Sequence, residues 1–97
     1  MMYNSNKEFA FKNIKELVED GIKLMRRDQA GVNAQIWLDY SQKIVELSTR
    51  NLDGSIHLNY LRLLLSLQSN HNIPDNQKIQ VCLDYLIEVL QLIVDRY

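Results

Sequence analysis

Two stretches, residues 56–67 and 79–94, are apolar around well over half of a helical circumference in a chain of only 97 residues. At about 100° per residue, Asn59, Arg62, Ser66 and Ser69 share one narrow polar strip of the first stretch. Ile56, Leu58, Tyr60, Leu61, Leu63, Leu64, Leu65 and Leu67 cover the rest of it. A domain this small buries only part of the surface its unfolded chain exposes. Apolar sectors this wide therefore predict helices that face a neighbour on most sides, and a surplus that faces a partner.

The rest of the sequence fits a few long helices with short links. Three glycines and one proline leave little material for tight turns, and 46% apolar against 24% charged residues places the chain with globular domains. Apolar residues recur every three or four positions in four segments, with expected bounds 6–28, 32–50, 55–69 and 74–96. In the first, Ala10, Phe11, Ile14, Leu17, Val18, Gly21, Leu24 and Met25 align behind a Ser5-Asn6-Lys7-Glu8 capping box. In the second, the expected inward stripe is Asn33, Trp37, Tyr40, Ile44 and Leu47, flanked by Ala34, Ser41 and Val45. Asp28-Gln29-Ala30-Gly31 reads as the first link, Asn51-Leu52-Asp53-Gly54-Ser55 as the second, with Asp53 or Ser55 as a cap, and the residues before Pro74 as the third. The i,i+4 pairs Asp39–Lys43 and Glu46–Arg50 mark a solvated face. Short links favour antiparallel neighbours, so the expected fold is all-α, a compact antiparallel four-helix bundle in a single domain, residues 1–97, that self-associates.

The last segment carries its core stripe on Ile79, Cys82, Leu83, Leu86, Val89, Leu90 and Ile93. Val81, Tyr85 and Leu92 fall outside both that stripe and the polar face, and with Leu58, Leu61 and Leu65 they are the expected surface for a partner or for self-association. No metal site and no cofactor motif is expected. Cys82, His57 and His71 do not fall into a spacing that gathers metal ligands, and Asp84 and Glu88 lie on the outer face. A lone cysteine and a start without a charged region followed by an apolar core make the expected location cytoplasmic. No apolar run approaches the 18 or so residues that span a bilayer.

The string RNLDGSIH, from Arg50 to His57, is the sharpest candidate for chemistry. It resembles the Arg-polar-x(4–6)-His pattern of HEPN-type ribonucleases, small helical proteins. That resemblance implies metal-independent RNA cleavage in a dimer cleft lined by Arg50 and His57. Gly54 and the cap at the second link interrupt the helix on which that family carries the pattern. The Glu-Leu-Val-Glu-Asp-Gly run of the first segment, with Trp37, looks like helical modules of prokaryotic phage-defence proteins. This adds phage–host conflict to the roles expected.

The net charge of −1 supplies no general attraction for nucleic acid. Lys12, Lys15, Lys23, Arg26 and Arg27 make the first segment locally basic, but Glu8, Glu16, Glu19 and Asp20 are interleaved. The leading expectation is therefore a non-enzymatic, homodimeric protein–protein interaction module, an adaptor or an inhibitor of the immunity type. The ribonuclease reading ranks second, and nucleic-acid binding through the basic face of the first helix ranks third.

Overall fold

The structure, a computed structural model, describes residues 5–26 and 31–97. It contains four helices: α1 (Ser5–Arg26), α2 (Gly31–Thr49), α3 (Gly54–Gln68) and α4 (Asp75–Arg96). Each described bound lies within two residues of expectation. Most of the expected first link, Asp28-Gln29-Ala30, and Arg27 before it lie outside the described residues.

The helix ends follow from local chemistry. Asp53, in extended conformation, caps α3 by accepting from the Ser55 backbone N–H at 3.0 Å and from the Ser55 hydroxyl at 2.7 Å. Such a cap satisfies an amide that the first turn leaves without a partner. Pro74 precedes α4 with φ −62°, where its ring fits and its missing N–H costs nothing.

The helices form an antiparallel bundle. α1 packs on α2 and α4, α3 packs on the same two, and α2 touches α4 across the middle, whereas no α1–α3 contact is made among the described residues. The bundle is flattened as a result, with extents of 48 × 25 × 19 Å. Its centre is filled by Ile14, Leu17, Leu38, Val45, Tyr60, Leu64, Ile79, Leu86 and Ile93, all buried. Gly21 allows the closest approach: a Cβ there would stand 2.8 Å from both Leu83 Cδ2 and Trp37 Cζ2. Trp37 is buried, as its place on the helix-two stripe predicts, and its indole N–H donates to the Leu17 carbonyl at 3.2 Å.

α2 departs from expectation by a rotation of about one residue. Its buried side is Ala34, Trp37, Leu38, Ser41, Val45, Ser48 and Thr49, while Asn33, Tyr40 and Leu47, expected inside, are exposed. Two polar members of the buried side, Ser41 and Thr49, carry their own partners. Ser41 Oγ donates to the Leu38 carbonyl and Thr49 Oγ1 to the Val45 carbonyl, both at 2.7 Å. A hydroxyl so satisfied can be buried at little cost. Asp39, expected to pair with Lys43, instead accepts from Gln35 Nε2 at 3.0 Å.

Candidate protein-interaction surface

The rotation of α2 turns a line of large apolar side chains outward. Ile36, Tyr40 and Leu47 lie at i, i+4 and i+11 and so share one face. They are 60%, 52% and 49% exposed, although nothing in the sequence reading placed them on the surface. The signal that could have found them is a second stripe one residue later, Ala34, Leu38, Ser41, Val45 and Ser48, spaced 4-3-4-3. Small residues at such a seam allow close helix approach.

On α3 the residues expected to face a partner reach solvent to different extents. Leu58 and Leu65 are half exposed or more, and Leu61 is half-buried beside them. The expected strip on α4 differs. Val81, Tyr85 and Leu92 are partly buried and pack against the core. Tyr85 stacks on Tyr60 with ring centroids 5.6 Å apart, and its hydroxyl donates to the Ile56 carbonyl at 2.9 Å. Burial raises the Tyr85 phenol above its ordinary pKa. The strip is therefore the α3–α4 seam, because the flattened bundle lets α3 lean onto that flank of α4. The outward apolar residues of α4 are instead Ile87 and Val94. Val94 borders a shallow hollow with Phe11 and Lys12 of α1.

The α3–α4 seam also holds a cleft whose lining includes Asp53, Asn59, Glu88, Leu92 and Arg96. Tyr97 donates its hydroxyl to Asp53 Oδ2 at 2.7 Å, tying the end of α4 to the cap of α3. Hydrogen bonds from Ser55 and Tyr97 hold the Asp53 carboxyl below its ordinary pKa.

Arg50 is exposed in the turn after α2. His57 is half-buried in α3, with its Nδ1 enclosed and without a hydrogen-bond partner, and no hydrogen bond joins the two residues. Cys82 is fully buried, and burial pushes its thiol up to about 11. His71 is exposed in the third link. Among the described residues no group of three or more His, Cys, Asp or Glu side chains could hold a metal, and no helix is long and apolar enough to cross a membrane.

No known protein family, curated protein or solved structure matches the chain.

Proposed function

We propose that this chain is a non-enzymatic helical interaction module, an adaptor or inhibitor that acts by protein–protein contact and self-associates. The observation that carries the reading is the exposure of large apolar side chains in lines: Ile36, Tyr40 and Leu47 on α2, and Leu58 and Leu65 on α3. Scattered single hydrophobes on a surface need no partner. Lines at helical spacing on a bundle are different, since a facing helix can cover all of one line at once. Full burial of such a side chain contributes about 1.5–3 kcal/mol, enough over several residues to offset the cost of association. A small inhibitor in phage–host conflict belongs to this class.

The test has two arms. Tagged protein returned to its native cells should retain a stoichiometric protein partner or a second copy of itself, and Leu58→Glu with Leu65→Glu should release that protein partner. The same preparation should leave mixed RNA intact, because an Arg–His pair must converge on one phosphate to stabilise charge and move a proton. Metal-independent cleavage abolished by His57→Ala would overturn the module reading in favour of a ribonuclease.

A further inference from the structure

The dipeptide Asp–Gly occurs twice in the chain, at Asp20–Gly21 and Asp53–Gly54. It is the pairing in which a backbone amide nitrogen most readily attacks the side chain before it, because glycine has no Cβ to hinder the approach. The fold gives the two copies opposite surroundings. Gly21 is buried in the middle of α1, with Trp37 and Leu83 against it. Gly54 is the exposed first residue of α3, and open space lies where its Cβ would be. Rotation at Asp53 requires only fraying of a helix end, whereas rotation at Asp20 requires α1 to unfold.

We infer that Asp53 is a site of spontaneous conversion to isoaspartate, gated by the hydrogen-bonded cap that joins it to Ser55 and Tyr97. In this reaction the Gly54 nitrogen bonds to the Asp53 Cγ, the amide proton and the carboxyl OH leave as water, and a five-membered succinimide closes. Water then adds at the main-chain carbonyl carbon of Asp53 and breaks its bond to the Gly54 nitrogen. The chain afterwards continues through Cβ and Cγ. One water is lost and one gained, so the mass is unchanged and no other reactant is needed.

The folded state holds the reaction off in three ways. Ring closure needs the Gly54 nitrogen to eclipse Cβ about the Asp53 Cα–C bond, and a ψ of 104° turns it well away. Oδ1 accepts from the Ser55 backbone N–H at 3.0 Å and the Ser55 hydroxyl at 2.7 Å, and Oδ2 accepts from the Tyr97 hydroxyl at 2.7 Å. The carboxyl cannot swing toward Gly54 while it keeps them. These hydrogen bonds also favour the carboxylate over the neutral acid, which is the form that loses water. The product has an extra main-chain carbon at residue 53, loses this cap geometry and leaves the Tyr97 hydroxyl without its acceptor. Each conversion therefore loosens the α3–α4 seam, whatever partner the protein binds.

Ageing the protein near pH 6 in water enriched in oxygen-18 tests the assignment. Each ring opening adds one heavy oxygen, and after digestion the isoaspartyl peptides separate from the aspartyl ones on reversed-phase chromatography. In guanidinium chloride Asp20 and Asp53 should convert at rates within about threefold of each other. In the folded protein Asp53 should exceed Asp20 about tenfold or more. Tyr97→Phe should speed conversion at Asp53 alone about threefold or more, whereas Tyr60→Phe, which weakens the core away from the cap, should not. Equal conversion of Asp20 and Asp53 in the folded protein, no isoaspartate at Asp53 even when unfolded, or an unchanged Asp53 rate in Tyr97→Phe would each overturn the assignment. Equal acceleration by Tyr60→Phe would do the same, since global unfolding would then be the gate.

Discussion

The hydroxyl oxygens of Ser41 and Tyr60 lie 2.7 Å apart in the core, joining α2 to α3. Ser41 spends its proton on the Leu38 carbonyl, so Tyr60 is the donor of the pair. Burial raises the Tyr60 phenol well above its ordinary pKa, which keeps the donor protonated.

Tyr60→Phe should therefore lower stability by about 1–2 kcal/mol, the cost of leaving a buried acceptor short of a partner. Ser41→Ala should cost a similar amount, and the double variant less than the sum. Urea unfolding of the full double-mutant cycle checks this; strict additivity would show that the two hydroxyls do not interact.

Gly21→Ala should destabilise, against the usual gain of about 1 kcal/mol for alanine in a helix. The new methyl would meet both Leu83 and Trp37 at 2.8 Å, so one packed side chain has to shift. A net loss of about 1–3 kcal/mol is expected, a fall in Tm of several degrees in a domain this size. Adding Leu83→Val should recover part of it. A melting temperature above that of wild type would show that the helices yield freely at this contact.

Acid should remove the contribution of Asp53. Its folded-state pKa is depressed by the Ser55 and Tyr97 hydrogen bonds, so its stabilisation is fully present above the ordinary value of 3.8. It is lost as pH falls through the lower folded value. Asp53→Ala should cost about 1 kcal/mol near neutral pH, as loss of an N-cap does. The gap in Tm between that variant and wild type should narrow as the pH is taken from 5 to 2, which thermal melts would reveal; a constant gap would refute the carboxylate's role.

Cys82 should resist thiol reagents in the folded protein. Full burial and a thiol pushed up to about 11 leave little accessible thiolate near neutral pH. Labelling at pH 8 with a chromogenic disulfide should follow the rate of unfolding and accelerate in urea. Rapid labelling without denaturant would place the thiol on an open surface.

The contrast between α2 and α4 shows where local pattern is sufficient and where it is not. On α4 the expected stripe is buried at Ile79, Cys82, Leu83, Leu86, Val89 and Ile93 and partly buried at Leu90, since the opposite face holds polar residues that cannot go inside unpaired. On α2 two stripes one residue apart are both plausible: Asn33, Trp37, Tyr40, Ile44 and Leu47 is bulkier, and Ala34, Leu38, Ser41, Val45 and Ser48 is smaller. Apolar bulk favoured the first. The second is buried because Ser41 spends its proton within its own helix on the Leu38 carbonyl and meets the Tyr60 hydroxyl, a partner that exists only once α2 turns that way against α3.

The same division runs through the interaction surface. Helix number, helix ends, the Asp53 cap and the inward Trp37 are properties of short stretches of chain, set by periodicity and by backbone groups that need partners within a turn. Which apolar residues are left over depends on how far each helix is rotated and which neighbours it reaches. The flattened arrangement buries much of Tyr85 against Tyr60 and Ile56, and the rotated α2 exposes Tyr40 and Leu47. An amphipathic pattern determines that a helix has an inner face, but only packing against the other three, with hydroxyls and a tight glycine contact deciding the closest approach, selects which face that is.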